Sequence, residues 1–269
     1  MQKVKVNHIE IAYQITGQGT PLVLVHGHPF DHTMWDPQVA AFSKYYQVIT
    51  PELRGYGASG LPAEGSTRFE DYATDVLLLL DELGVDGFHL GGLSMGGQVI
   101  MEIFRQAPSR IKSLIFADTF ASLDTPEVKQ GRYDTAARLE KEGMDAYADE
   151  VIYKMITPEH VTSLPQVSAH IIKMMKASSP TGAAIALRAR AERIDYLKEV
   201  LPKIDIPTLV IVGSEDEFTP VAKAEEMKAT MKDCKMVVID DAGHMPNLEH
   251  PEEFNEVVLA FLNKLSLRA

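Results

Sequence analysis

The sequence predicts an α/β fold in which a mostly parallel, twisted sheet carries helices on both faces and is interrupted by an all-helical insertion. Three observations lead to this prediction. Short apolar segments with strand character alternate with amphipathic segments up to about residue 120. Only helical patterns follow, until strand patterns return near residue 207. Because parallel strands need crossover helices that cover both faces of a sheet, the alternation favours repeated βαβ units.

The strand segments of the first half are short and either apolar or alternating: residues 4–6, 9–13, 22–25, 47–50, 88–93 and 111–117. Asn7 and His8 separate the first two and predict a hairpin. Residues 69–83 repeat apolar side chains at i, i+3, i+4 and i+7, which predicts an amphipathic helix ended by Gly84. Residues 95–106 predict a second helix, which ends near Pro108.

The region after residue 120 contains helical patterns bounded by Pro, Gly or Ser: residues 126–141, 144–156, 165–177 and 180–194. Strands are then predicted at residues 207–212 and 236–239, followed by a final helix over residues 251–265. We therefore divide the chain into an α/β core, residues 1–119 and 199–269, and a helical cap, residues 120–198. The cap is expected to fold over the core.

Composition restricts the class of protein. A chain of 269 residues with 45% hydrophobic content can bury a full core. Its formal charge of −12 argues against nucleic acid or an anionic membrane as a partner, since phosphate binding needs clustered Lys and Arg. The single Cys234 excludes an internal disulfide and fits a reducing compartment. With no leader pattern and no membrane-spanning stretch, we expect a cytoplasmic protein acting on a small molecule. Homo-oligomerisation is left open.

Ser94 lies between Gly92 and Gly96 in the pattern Gly-x-Ser-x-Gly, where a predicted strand ends and a helix begins at once. So sharp a turn needs residues without side chains beside the serine, and it raises the serine hydroxyl above the sheet. The pattern alone is weak evidence. It gains weight from the residues that follow.

A serine hydroxyl needs a neighbouring base, which is itself oriented by a carboxylate. Asp216 follows the strand predicted to end at Val212, and His244 follows the strand predicted to end at Ile239. Because the carboxyl ends of parallel strands meet at one edge of a sheet, these side chains are expected to converge on Ser94. Asp118 also ends a strand and remains an alternative acid.

An oxyanion formed by attack of Ser94 would need two backbone N–H donors. The first is expected from Met95, directly after the serine. The second is expected from the loop after the third strand, residues 26–29, where Pro29 has no N–H and His28 is therefore the candidate. Each donor is worth roughly 3 kcal/mol in the transition state.

Taken together these motifs resemble the α/β-hydrolase fold serine hydrolases, in particular bacterial carboxylesterases and 3-oxoadipate enol-lactonase-like proteins. The matching segments are residues 26–29, 52–59, 92–97, 213–220 and 243–246. Two residues depart from the usual pattern: Glu52 replaces an Asp, and His28 replaces an apolar or aromatic residue. The second departure could bring an imidazole close to the substrate.

The resemblance implies hydrolysis of small carboxylic esters through an acyl-enzyme on Ser94, with His244 as base and Asp216 as its orienting acid. It implies no cofactor and no metal. The resemblance also implies that the haloalkane dehalogenase and epoxide hydrolase branches of this fold use an aspartate as nucleophile. A serine at this position therefore argues against both branches. Within the same triad, lactone opening, cofactor-free perhydrolysis by peroxide and carbon–carbon bond hydrolysis remain alternatives.

Substrate contacts are harder to predict from the sequence. Four apolar residues near the expected site are candidates: Trp35, Phe120, Phe218 and Met245. The last three could equally pack in the core, and for Trp35 packing of the first helix onto the core is favoured over lining of the pocket. Five cap cations could recognise a substrate carboxylate, which would favour a lactonase, or could simply face solvent: Lys173, Lys176, Arg188, Arg190 and Arg193.

Two further hypotheses come from other classes. The run His26, His28, Asp31 and His32, with His89, resembles the H-x-H-x-D-H ligands of metallo-hydrolases. Its aspartate is one residue late, and metal sites tolerate only about 0.2 Å of misplacement. A ligand sensor that keeps the hydrolase frame without turnover is the second hypothesis, and no sequence feature supports it.

Overall fold

The computed structural model describes residues 1–62 and 67–266, and it contains one eight-stranded sheet. The strands are β1 (Gln2–Val6), β2 (Ile9–Thr16), β3 (Pro21–Val25), β4 (Gln47–Pro51), β5 (Phe88–Leu93), β6 (Ile111–Ala117), β7 (Thr208–Gly213) and β8 (Cys234–Ile239). Their order across the sheet is β1-β2-β4-β3-β5-β6-β7-β8. β1 and β2 are antiparallel to their neighbours, and all pairs from β4 to β8 are parallel.

Twelve α-helices are present among the described residues. They are α1 (Asp36–Phe42), α2 (Phe69–Glu82), α3 (Met95–Gln106), α4 (Pro126–Glu142), α5 (Asp145–Met155), α6 (His160–Ser163), α7 (Pro165–Ala177), α8 (Pro180–Ala191), α9 (Tyr196–Glu199), α10 (Val221–Thr230), α11 (Pro246–Glu249) and α12 (Pro251–Ser266). The sequence pattern does not reveal α10, because only Ala224 and Met227 of this helix are buried. Within the described residues, none of the helices is long and apolar enough to cross a membrane.

The predicted hairpin at the start of the chain is present. β1 pairs with β2 from Gln2 opposite Tyr13 to Val6 opposite Ile9. The two residues between the strands, Asn7 and His8, have φ values of 46° and 62°. Such left-handed conformations match the twist of the flanking strands in a two-residue turn.

Helices cover both faces of the sheet. On one face, apolar side chains of α2 and α3, such as Val76 and Ile103, join the strands in a single buried cluster. On the other face, Trp35 and residues of α12 such as Phe254 and Val258 form a second cluster. The predicted α/β architecture is therefore confirmed, with the carboxyl ends of β5, β7 and β8 at one edge.

Six helices, α4 to α9, lie between β6 and β7 in the chain, in the region that the sequence predicts as a cap. The backbone of α8 approaches the backbone of the core closely at Gly182. A Cβ atom placed on Gly182 would collide with the backbone oxygen of Gly55. The hydroxyl of Ser178 also donates to Pro29 O at 2.8 Å. Gly55 follows β4, and Pro29 lies in the β3 loop (residues 26–29, directly after β3). The two contacts therefore hold the start of α8 and the end of α7 against the loops that follow β4 and β3.

Gly182→Ala should lower the free energy of unfolding by about 1–3 kcal/mol, because the added methyl group meets backbone that cannot rotate away. Gly131→Ala is the matched control, since Gly131 is also helical and its Cβ would meet nothing within 4 Å. That change should stabilise by about 0.5–1 kcal/mol. Urea unfolding of both variants measures the difference, and equal effects would contradict the close approach.

Candidate active site

Ser94 lies at the sharp turn between β5 and α3. Its φ of 56° and ψ of −118° belong to a strained region for a residue with a side chain. The turn is enforced by packing, because a Cβ on Gly92 would lie 2.5 Å from Gly96 O and a Cβ on Gly96 would collide with Val25 O. The Ser94 N–H donates to Ala117 O at 3.0 Å. Ser94 is nearly buried and lines a cavity.

His244 and Asp216 meet at the ends of β8 and β7. His244 Nδ1 lies 2.7 Å from Asp216 Oδ2. Asp216 also accepts from the Phe218 N–H at 2.8 Å, from the Thr219 N–H at 3.0 Å and from the Thr219 hydroxyl. Burial acts to raise the pKa of Asp216, but the charge and hydrogen bond of His244 and the Thr219 donors outweigh it and lower the pKa to about 2.

An ionised Asp216 can only accept hydrogen bonds, so Nδ1 of His244 carries the proton. The other ring nitrogen, Nε2, is then a free acceptor. Both Ser94 and His244 line the same cavity. The structure therefore brings the three predicted residues to one edge of the sheet.

Asp118, the alternative acid, has a different environment. It is fully buried, and its Oδ1 accepts from the Gly213 N–H at 2.9 Å. Burial, followed by the negative charge of Asp216, raises the pKa of Asp118 well above its usual value. The carboxyl of Asp118 is therefore harder to ionise than that of Asp216, and of the two only Asp216 bonds His244.

Glu249 supports the loop that carries His244, a role that the sequence analysis missed. Its buried carboxylate accepts from the Gly243 N–H at 2.7 Å, from the Thr157 N–H at 2.9 Å and from His160 Nδ1 at 2.8 Å. One side chain thereby ties the residue before His244 to the region between α5 and α6. The only sequence signal is a Glu five residues after the histidine, just before the final helix.

Of the two expected oxyanion donors, Met95 directly follows Ser94, and His28 directly follows Gly27, on which a Cβ would lie 3.3 Å from the Ser94 Cβ. Met95 is the first residue of α3, where N–H groups have no partner within the helix. His26 holds the neighbouring loop: its Nε2 accepts from the Leu53 N–H at 2.9 Å, so its Nδ1 donates to Gly27 O at 2.9 Å. Burial lowers the pKa of His26 and favours this neutral form.

His28 lines the cavity. Its Nδ1 lies 2.7 Å from the Tyr56 hydroxyl, and its buried Nε2 has no partner among the described residues. Burial and the positive charge of Arg190 lower the pKa of His28 well below its usual value, so the ring is neutral.

The cavity has a volume of about 650 Å³. Its lining joins Ser94 and His244 with residues of α4, α5 and α8, and it includes Phe120 and Phe218 as predicted. The Phe218 ring packs edge-on to His244 with centroids 5.1 Å apart. The other two candidates do not line the cavity: Trp35 packs on Phe254 in the core, and Met245 is buried in the same cluster. Both are apolar side chains that the fold uses for its interior.

Among the described residues three arginines line the cavity, and one of them has no carboxylate as an ion-pair partner. Arg132 pairs with Asp124 at 2.6 Å, and Arg138 pairs with Glu150 at 2.7 Å. Arg190 is 7% exposed, and its Nε donates to Gln98 Oε1 at 2.6 Å. No carboxylate among the described residues forms an ion pair with Arg190. Its pKa is lowered well below the usual value, first by burial and then by the charges of Arg132 and Arg193.

The other cap cations of the sequence analysis have different surroundings. Arg188 pairs with Glu140, Lys176 with Asp149, and Arg193 with Asp124. Neither these three nor Lys173 lines the cavity.

The predicted metal-ligand run does not converge. His26, His28 and His89 point to different partners, Leu53, Tyr56 and Ser113. His32 bonds Glu52 at 2.6 Å. Three groups of the described residues bring possible ligand atoms within 4.8 Å of one another: Asp31 with His32 and Glu52, Asp118 with Asp216 and His244, and His160 with Asp241 and His250.

Comparison with known proteins agrees with this geometry. Residues 20–251 match the family model of the alpha/beta hydrolase fold. A thermophilic esterase from Thermogutta terrifontis, in a malate-bound structure, is 37% identical with a TM-score of 0.94, covering 98% of this chain and 99% of that one. The enol-lactonase from Burkholderia xenovorans LB400 is 31% identical with a TM-score of 0.90, covering 97% and 100%. The 3-oxoadipate enol-lactonase 1 of Acinetobacter baylyi is 28% identical over 257 residues, 95% of this chain and 94% of that protein.

Glu249→Gln should lower the free energy of unfolding by about 3 kcal/mol, because an amide cannot accept from three donors and presents N–H groups to some of them. Glu225→Gln, an exposed change on α10, should alter it by less than about 0.5 kcal/mol. Urea unfolding compares the two. Equal stabilities would show that Glu249 does not hold the Gly243 loop.

Asp124→Asn tests the buried carboxylate between Arg132 and Arg193. Burial opposes its charge, but the hydrogen bonds from both arginines hold the pKa of Asp124 well below its usual range. A folded-state pKa below the unfolded value of about 3.9 gives stability that is present above about pH 4 and lost below it.

The Asp124→Asn variant should therefore be less stable than the wild type by about 3 kcal/mol at pH 7, and the gap should narrow below about pH 4. Asp81→Asn removes an exposed ion pair and should cost under about 1 kcal/mol. Urea unfolding at pH 7, 5 and 3.5 gives the comparison. A stability difference between wild type and Asp124→Asn that does not change with pH would show that the charge of Asp124 is not its cause.

Proposed function

Because the chain belongs to the α/β-hydrolase family, we propose that it hydrolyses carboxylic esters of small molecules through an acyl-enzyme on Ser94. The observation that carries the proposal is the bond between His244 Nδ1 and the ionised Asp216, at 2.7 Å. This bond leaves Nε2 of His244 as a base in the cavity that Ser94 also lines. The similarity to an esterase and an enol-lactonase supports the same chemistry.

In the first half-reaction His244 Nε2 removes the proton of Ser94 as its oxygen attacks the ester carbonyl. The oxyanion is stabilised by the N–H groups of Met95 and His28, each worth roughly 3 kcal/mol. Asp216 holds the imidazole in the required tautomer and stabilises the imidazolium. The strained backbone of Ser94 presents its oxygen without reorganisation.

The tetrahedral intermediate collapses when His244 returns the proton to the leaving alcohol. Water then enters the cavity, loses a proton to the same nitrogen and attacks the acyl-serine. The second collapse releases the acid and restores Ser94. Proton transfer in both halves uses one nitrogen, so the fixed ring orientation serves the complete cycle.

Lactone opening is the second candidate. In a lactone the leaving alcohol stays attached to the acyl group, so the same residues carry out the same steps. The similarity over nearly the whole chain to the Burkholderia xenovorans enol-lactonase favours this candidate. Comparing kcat/KM for a series of 4-nitrophenyl esters and for enol-lactones distinguishes the two substrates.

Ser94→Ala should fold normally and lower kcat on 4-nitrophenyl esters by a factor on the order of a million, because the nucleophile is removed. Ser122→Ala is a control, since Ser122 lies outside the cavity lining. Steady-state kinetics on purified variants measures the loss. Near wild-type turnover by Ser94→Ala would contradict the proposal.

The remaining hypotheses give other results in the same assay. A ligand sensor would show at most one slow turnover, whereas a hydrolase continues over many cycles. A perhydrolase would transfer the acyl group to added hydrogen peroxide faster than to water. Both measurements use the wild-type chain and need no further variant.

A further inference from the structure

The part of the cavity formed by α8 and the β3 loop presents two polar groups that the hydrolytic steps do not use. One is the guanidinium of Arg190, which is 7% exposed and has no ion-pair partner among the described residues. The other is Nε2 of His28, a residue 5% exposed, and this nitrogen has no hydrogen-bond partner in the part of the chain that the structure describes. Both residues line the cavity that contains Ser94.

The hydrogen of His28 can be placed from its neighbour. The Tyr56 hydroxyl is buried and shares its hydrogen bond, 2.7 Å long, with His28 Nδ1. If Nδ1 donated, the phenol proton and the Nε2 lone pair would both be left without partners. If the phenol donates, only Nε2–H remains unsatisfied. The favoured arrangement therefore leaves a buried N–H donor without a partner on a residue that lines the cavity.

The other interior arginines show what a purely structural role looks like here. Arg132 and Arg193 both bond the buried carboxylate of Asp124, at 2.6 and 2.8 Å. Arg190 has only the neutral amide of Gln98 on its Nε, and the face of Phe120 lies 5.8 Å from its Cζ. An interior charge without a counter-charge is costly, so it is expected where a ligand supplies that charge.

We propose that Arg190 and His28 form a subsite for a carboxylate carried by the substrate, distinct from the carbonyl that Ser94 attacks. The inference rests on the proposed function, because it concerns the same cavity. A planar guanidinium and an imidazole N–H are both suited to carboxylate oxygens. A single guanidinium balances one negative charge, which fits a carboxylate better than a phosphate dianion.

The acidic side chains of the cavity do not occupy this subsite. Glu150 pairs with Arg138, and its side chain is 58% exposed. Glu217 lies 3.6 Å from Lys154, and its side chain is 63% exposed. Both belong to the open rim, so the buried end of the cavity keeps a net positive charge.

The test compares two esters that differ only in their terminal group. Mono(4-nitrophenyl) adipate ends in a carboxylate where 4-nitrophenyl hexanoate ends in a methyl group. A second pair, 4-carboxyphenyl hexanoate and phenyl hexanoate, places the carboxylate on the leaving group. The readout is kcat/KM for the carboxylated ester divided by kcat/KM for its uncharged partner. This ratio cancels general effects of a substitution on Ser94 and His244, because both esters of a pair react through them.

Arg190→Met should lower the ratio by about 10- to 100-fold in the pair that the wild type prefers, as expected for losing a charged hydrogen bond. His28→Phe keeps the backbone N–H and should lower the ratio by up to about tenfold, the value of a neutral hydrogen bond. Arg188→Met is the matched control on the same helix, where Arg188 pairs with Glu140. It should leave the ratio unchanged.

An unchanged ratio in folded Arg190→Met would overturn the subsite. If that variant does not fold, Arg190→Lys takes its place. Lysine retains the positive charge but not the planar guanidinium, so this variant should lose part of the preference for the carboxylated ester. A variant that loses none of this preference would refute the subsite. Wild-type protein that hydrolyses none of the four esters would refute the hydrolase proposal instead. Calorimetric binding of adipate, lost in Arg190→Met, would in that case still support the subsite.

Discussion

The close approach of three backbone segments around Ser94 is the constraint on which the site depends. Gly92 and Gly96 lie so near each other and Val25 that a Cβ on either would collide with backbone. The chain can therefore leave β5 only by a turn that puts Ser94 at a φ of 56°. A serine in that conformation projects its hydroxyl above the sheet, and α3 begins beside it. The position of the proposed nucleophile is thus set by backbone packing and does not depend on His244 or Asp216.

Hydrogen bonds that cross between distant segments complete the site. Asp216 gathers four donors and remains ionised, which fixes the ring of His244. Glu249 gathers three more and joins the loop of His244 to residues before α6. Each buried carboxylate with satisfied lone pairs is rigid, because moving it would leave several donors without partners. The cavity between these anchors is consequently preorganised, and its polar groups without partners are free for a ligand.

Much of this could be predicted from the sequence. Strand and helix periodicity located β5, α3 and β6, and the Ser-Asp-His order located the residues that meet at the sheet edge. The surroundings of Trp35 and Met245 could not be predicted, because an apolar residue near a site gives the same sequence signal whether it packs inward or lines a cavity. Glu249 and the unpaired state of Arg190 were equally hidden. Both depend on contacts between segments far apart in the chain, and no local pattern records them. The bounds of the cap at residues 120–198 stay a prediction.

The central claim is that Ser94 forms a covalent bond with the acyl group. The most direct measurement is treatment of the wild-type protein with a fluorophosphonate, followed by intact mass and peptide mapping. The account predicts one adduct per chain, on the peptide containing Ser94, with ester hydrolysis lost in proportion to labelling. An adduct on another residue, or full loss of activity with Ser94 unmodified, would contradict it.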